Sequence, residues 1–236
     1  MTVPKTVSSP LFPGFSYLED IDSTILQEVR YAGPHNFIGR PIDGYEAARC
    51  VVSDKLGQGI AAVQEEVRKD NYTLKVYDAY RPLRSVVNFA KWAMDLEDLL
   101  MKEEFYPEIN KAHLFDLGYI GFRSQHSRGC AVDLTLVPLT IPDQDTYRSG
   151  DQLVDARLPK GQRFNDNSIE MGTGFDCFDE MSHTACPRIS EEAKKNRAYL
   201  TKVMETHGFE NYEKEWWHFS LKDEPFPETY FDFPVR

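Results

Sequence analysis

The chain has 236 residues, with 27 Lys and Arg against 38 Asp and Glu, a net charge of −11 and a hydrophobic share of 41%. That is the length of one large domain or two small ones, with enough apolar content for a sizeable core. An acidic surface repels phosphate backbones and argues against nucleic acid as a partner, and no stretch approaches the run of about 20 apolar residues that spans a bilayer.

The opening MTVPKTVSSPLFPGF lacks the basic-then-apolar layout of a secretory signal. The expectation is a cytoplasmic protein; a mature chain whose signal has been removed would instead be periplasmic. Repeats, low-complexity runs and obvious linkers are missing, so a single domain over residues 1–236 is expected. Pro and Gly cluster in GPHNFIGRPIDGYE, Gly33 to Glu46, which marks a looped beginning. Leu56, Ile60, Val63 and Val67 then recur at helical spacing, with Ser53 or Asp54 as the cap. Tyr72, Leu74 and Val76 alternate with Thr73, Lys75 and Tyr77, a strand pattern with both faces partly covered. The strand runs into DAYRP, where Pro82 can open a helix in its first turn. Leu83, Val86, Val87, Ala90 and Ala93 mark the buried stripe of that helix.

Further on, Tyr119 to Phe122 and Ala131 to Leu136 read as two strands. The stretch from Val137 to Glu170 is long and polar; a loop of that length is usually functional or a local insertion. A second strong helix begins near Ser190, where Glu191 and Glu192 suit the positive end of the helix dipole. Its stripe is Tyr199, Leu200, Val203 and Met204, and Gly208 is a suitable stop. The tail DEPFPETYFDFPVR is aromatic and proline-rich and is expected to pack as an extended cover. Helices and short strands without regular alternation predict an α+β fold. The cysteines are Cys50, Cys130, Cys177 and Cys186, none in a CxxC pair. Cys177 and Cys186 flank a polar loop and could form a small disulfide in an oxidising compartment; the other reading is that all four are buried small apolar residues.

Two distant segments carry the chemistry: SQHSRGCAVDLTL, Ser124 to Leu136, and KEWWHFSL, Lys214 to Leu221. His126, Asp133 and His218 can supply three ligands to a metal, leaving a position open for water as catalytic zinc sites do. His126 and Asp133 are seven apart and would face opposite ways on one unbroken strand. They converge only if the chain bends between them, and Gly129 sits there to permit it. Glu215 and His218 share a face only where the backbone is helical or turning. Taken alone, EWWHF reads equally well as an aromatic core strand with a hydrogen-bonded histidine. The pairing of the two segments inside apolar surroundings is what raises the metal reading, because buried ionisable groups need partners; by spacing alone the two readings stand level.

The order of YDAYRP, SxHxxGxAxD and EWWH resembles the D-alanyl-D-alanine dipeptidases, a zinc peptidase family that includes the vancomycin-resistance dipeptidase and is related to D,D-carboxypeptidases. DGYE at Asp43 to Glu46, MGTGFD at Met171 to Asp176 and YFDFPV at Tyr230 to Val235 also look familial, so the likeness covers nearly the whole chain. Two departures stand out: a segment between Leu136 and Met171 longer than in short members, and the Cys177 to Cys186 pair. The resemblance implies one zinc ion held by His126, Asp133 and His218, with Glu215 as general base. It assigns Arg81 to transition-state stabilisation and Ser124 and Asp176 to the substrate's amino end, and it puts Tyr45 in the pocket lining. The expected fold is then a single α+β domain with a central, mostly antiparallel sheet flanked by helices and the zinc site at the sheet. The expected activity is hydrolysis of the D-Ala-D-Ala dipeptide in cell-wall precursor metabolism. The alternatives are a D,D-carboxypeptidase trimming peptidoglycan stem peptides and a zinc-stabilised binding domain without activity.

Overall fold

Ser53 ends one strand and caps the helix that follows, and the centre of the molecule is built outward from that junction. Its hydroxyl accepts the Leu56 N–H at 3.3 Å and donates to the Gly129 carbonyl at 2.6 Å, which satisfies one of the orphan donors of a helix start. The computed structural model describes residues 11–236, so most of the stretch read for a signal lies outside the described residues. In chain order the elements are β1 (Phe15–Tyr17), α1 (Leu18–Ile21), β2 (Leu26–Gln27), β3 (Val51–Ser53), α2 (Asp54–Lys69) and β4 (Tyr72–Asp78). They continue with α3 (Leu83–Met94), α4 (Lys102–Phe105), β5 (Ala131–Pro138), α5 (Glu191–Thr206), β6 (Phe209–Asn211) and β7 (His218–Leu221).

Five strands form one sheet in the order β2-β4-β5-β7-β6, and β1 pairs with β3 apart from it. Within the large sheet β2 runs parallel to β4 and the other neighbours are antiparallel. This is the α+β fold with a mostly antiparallel sheet. Helix α2 packs on β4, and α5 packs on β6 and α2. The predicted stripe of α2, Leu56, Ile60, Val63 and Val67, is wholly buried. Ser190 caps α5 by accepting the Ala193 N–H, and Gly208 follows that helix with a φ of +86°.

On β4, Lys75 and Tyr77 are turned toward the long polar segment. Lys75 Nζ binds Glu28 at 2.7 Å and Asn167 at 3.1 Å, and Tyr77 stacks on Phe175. From Leu139 to Asp179 the chain has no helix or strand. It is held by specific bonds, such as Ile169 N–H to the Leu136 carbonyl at 2.9 Å and Ala156 N–H to the Glu104 carbonyl at 3.1 Å. The tail covers the site end as expected: Phe231 donates to the Ser127 carbonyl and accepts from Leu83 N–H, while Val235 bonds to Gly44.

Two expectations need correction. Tyr119 to Phe122 is not a strand: the chain turns back on itself, so that the N–H groups of Tyr119 and Ile120 both reach the Leu114 carbonyl. The buried face of α3 is rotated from the predicted stripe. Val87 is 43% exposed, whereas Phe89 and Trp92 are buried, because both rings pack on Phe37. Of the two readings of the cysteines, the buried one holds: all four, Cys177 and Cys186 included, are buried free thiols.

The bend required between His126 and Asp133 is present. A 3-10 turn over Gln125–Arg128 ends at Gly129 in the left-handed region, φ +69°, and β5 begins two residues later. A Cβ on Gly129 would also lie 2.5 Å from the Phe15 ring. The left-handed conformation alone costs a residue with a side chain about 1–2 kcal/mol. Gly129→Ala is therefore expected to lower unfolding stability by at least about 2 kcal/mol in a urea titration; an unchanged midpoint would show that the turn does not constrain this position.

Candidate active site

Register across three strands creates the site. A bulge in β4 between Val76 and Asp78 brings Asp78 opposite Asp133 of β5, and Asp133 is in turn paired with His218, the first residue of β7. Directly opposed residues of antiparallel strands project from the same face, so the bulge and the two registers collect three ionisable side chains in one row. His126 enters from the 3-10 turn. Its Nε2 lies 3.3 Å from an Asp133 oxygen and 3.3 Å from His218 Nδ1; His218 Nδ1 lies 3.1 Å from the other Asp133 oxygen.

The hydrogen bonds on the far sides of the two rings fix their tautomers. His126 Nδ1 donates to the Ala79 carbonyl at 2.6 Å, which leaves Nε2 with its lone pair. Ser220 gives its proton to Gln125 Oε1 at 2.7 Å, so its oxygen accepts from His218 Nε2 at 3.4 Å and Nδ1 is left with its lone pair. Two imidazole lone pairs and a carboxylate, all within 4.8 Å of one another, face a common point. That donor set fits a divalent cation of zinc type, and the carbonyl and hydroxyl behind the rings are the outer partners such ligands ordinarily have. Burial works against the charge on Asp133, but the two rings beside it, in their protonated form, attract and hydrogen-bond the carboxylate strongly enough to hold its carboxyl below the usual range.

Glu215 is held by a turn in which its N–H bonds to the Tyr212 carbonyl and its carbonyl accepts from His218 N–H. One carboxylate oxygen lies 3.6 Å from His218 Nδ1. Burial pushes its pKa up to about 7, which suits a group that must take and return a proton near neutrality. Arg81 completes the row: its Nε donates to Asp78 at 2.9 Å, its Nη2 to Asp133 at 3.4 Å, and its guanidinium lies about 5 Å over the rings of Tyr31 and Phe89. These groups line a cavity of about 270 Å³, together with Phe178, Tyr119 and Gly118 to Gly121. That is at the lower end of small-molecule pockets, which run from about 300 Å³.

Known proteins agree with this chemistry. The model of a family described as D-Ala-D-Ala dipeptidase matches residues 13–142 and 148–236. The chain belongs to the D-Ala-D-Ala dipeptidase family. It is 39% identical to a D-alanyl-D-alanine dipeptidase of Enterococcus faecium over 94% of this chain and 98% of that one. It is 37% identical to one of Streptomyces coelicolor over the same shares. A dipeptidase of Escherichia coli is 28% identical over 82% of this chain and 77% of its own. Among solved structures, a zinc-bound mutant of a vancomycin-resistance D,D-pentapeptidase aligns over 77% of this chain and 78% of its own, at 11% identity and a TM-score of 0.40, too remote a likeness to bear on the chemistry. The family match is interrupted at 143–147, within the long polar segment.

Of the other residues the resemblance picks out, two line the cavity and one does not. Asp176 reaches it with a φ of +59°, in the region that strains a residue with a side chain, and its carboxyl accepts from Tyr31 Oη at 2.8 Å. Burial and the nearby Asp133 push the Asp176 pKa well up. Ser124 lines the cavity and caps the histidine turn, accepting the His126 N–H at 3.2 Å. Tyr45 is absent from the lining, contrary to expectation. It is 7% exposed and donates its hydroxyl to Asp78 at 2.6 Å, one layer behind Arg81. Asp78 and Tyr31 were not singled out from the sequence. A carboxylate ending a buried strand was a usable signal for Asp78; nothing marked Tyr31.

This arrangement makes Tyr45→Phe diagnostic. Removing one hydrogen bond to a buried carboxylate is expected to cost about 1.5–3 kcal/mol and to affect kcat through Arg81 more than KM. A rise in KM alone, at full stability, would return Tyr45 to the pocket wall.

Proposed function

We infer that this chain hydrolyses the D-Ala-D-Ala dipeptide to two D-alanines with a zinc ion held by His126, Asp133 and His218. The observation that carries the reading is the convergence of two imidazoles and a carboxylate within 4.8 Å of one another, beside the carboxyl of Glu215. When bound, zinc supplies Lewis-acid polarisation of the scissile carbonyl and raises the acidity of a water molecule. Glu215 takes a proton from the attacking water as its oxygen bonds to the carbonyl carbon. It then returns that proton to the amide nitrogen as the carbon–nitrogen bond breaks, so that the amine leaves neutral. Arg81, clamped by Asp78 and stacked on Tyr31, faces the oxygen on which negative charge develops; one such donor is typically worth about 3–4 kcal/mol of barrier. Its planar fork suits that position better than a lysine would.

Asp176 supports the dipeptide over a stem peptide. A free dipeptide brings an ammonium next to the scissile bond, and a buried carboxyl poised by Tyr31 matches it. A longer chain has a neutral amide at that place. A binding module would need neither Glu215 nor Arg81 aimed into the cavity beside the donor set.

Three measurements test the reading. Wild-type protein is expected to release D-alanine from D-Ala-D-Ala and to stop when a chelator strips the metal. Glu215→Gln should retain one metal per chain by elemental analysis while turnover falls about 10²- to 10⁴-fold, the range of general acid–base catalysis; a fully active variant removes Glu215 as base. His126→Ala should lose the metal, and full occupancy in that protein removes His126 from the ligand set.

A further inference from the structure

The cavity is lined by three carboxylates, Asp133, Asp176 and Glu215, and two guanidiniums, Arg81 and Arg123. A dipeptide substrate carries a carboxylate at the end opposite its ammonium, and an acid-lined cavity offers that carboxylate no partner without a cation set aside for it. Arg81 is already committed, to Asp78 at 2.9 Å and Asp133 at 3.4 Å. Arg123 is different. Among the described residues no carboxylate lies within ion-pair distance of it, and its guanidinium rests 5.6 Å over the ring of Tyr230. Tyr230 is itself fixed, because its hydroxyl accepts from Arg128 Nη1 at 3.0 Å and Arg128 is clamped by both oxygens of Glu224. Arg123 immediately precedes Ser124, the cap of the turn that delivers His126. The cavity's uncommitted cation is therefore tethered to the same short segment as the catalytic row.

We propose that Arg123 is a specificity-determining residue that binds the carboxylate of the departing D-alanine, steadied from behind by Tyr230 and Arg128. This rests on the reading of the chain as a dipeptidase and extends it to the other end of the substrate. A guanidinium can hold a carboxylate with two parallel hydrogen bonds, and stacking on an aromatic face leaves those N–H groups free. With Asp176 on the ammonium and Arg123 on the carboxylate, the site would measure the substrate by charge at both ends.

The test compares D-Ala-D-Ala with its C-terminal amide, which keeps the scissile bond and the ammonium and lacks the carboxylate. Wild-type protein should prefer the acid by about tenfold or more in kcat/KM, the worth of a charge-assisted hydrogen bond near solvent. Arg123→Ala should erase most of that preference through KM, with metal content unchanged, and Arg123→Lys should restore part of it. In a Glu215→Gln background, calorimetric titration with the same two compounds should give the same ratio without turnover. An acid-to-amide ratio that Arg123→Ala leaves intact overturns the proposal. A wild-type protein that cleaves neither compound overturns the dipeptidase reading instead, so the two failures are distinct.

Discussion

Two ring nitrogens 3.3 Å apart, with a carboxylate against both, call for a proton or a metal cation between them. Like-signed partial charges at that separation repel, and the low dielectric of the interior strengthens the repulsion. The fold nevertheless holds both rings in the orientation that produces it, by hydrogen bonds on their far sides to Ala79 and through Ser220 to Gln125. A cation at the common point removes the conflict. A metal bound there would add its binding free energy to native-state stability, because the unfolded chain lacks the convergence. The rest of the structure can be understood as the means of keeping those three donors in place.

The most consequential of those means is Asp78. The bulge in β4 points its carboxyl at Arg81, the Tyr45 hydroxyl and the His126 ring at once. Burial pushes its pKa up even beside Arg81, so its charge depends on those partners. Arg81 is bound a second way, since its backbone N–H reaches the His126 carbonyl at 3.3 Å. Arg81, His126 and Asp78 are therefore linked into one unit. The long polar segment serves the same end from outside: Lys75 and Tyr77 on β4 anchor it near Asp166 and Asn167, and it returns to the sheet at Leu136 before delivering Asp176 to the cavity.

The sequence made the elements with strong local signals legible. Both long helices carry a serine cap and an apolar stripe, and β4 and β5 read as strands, because those patterns are short-range. The need for a bend at Gly129 and a turn at Glu215 also followed from side-chain geometry alone. Val87 was misplaced because a stripe of Val and Ala is nearly symmetric about α3, and only tertiary contact with Phe37 turns Phe89 and Trp92 inward. Tyr119 to Phe122 looked like a strand by hydrophobicity, yet its partners are a turn and a cavity. The bulge that brings Asp78 to Asp133 left no local trace. Tyr31 was invisible as well, because its role depends on Asp176, 145 residues away along the chain.

Asp176 shows how the site can favour a small charged substrate over a longer one. Its backbone is strained, its carboxyl is buried, and its pKa is pushed well up by burial and by Asp133. An isolated anion there is unfavourable, and the Tyr31 hydroxyl offsets only part of that. An ammonium brought beside it would supply the missing counter-charge at a buried carboxyl, where the attraction is screened less than at the surface. A neutral amide nitrogen at the same point leaves the carboxyl without that counter-charge. Selectivity built in this way would come from an interaction the empty protein lacks, and its strength would derive from the same burial that makes the free carboxyl unfavourable.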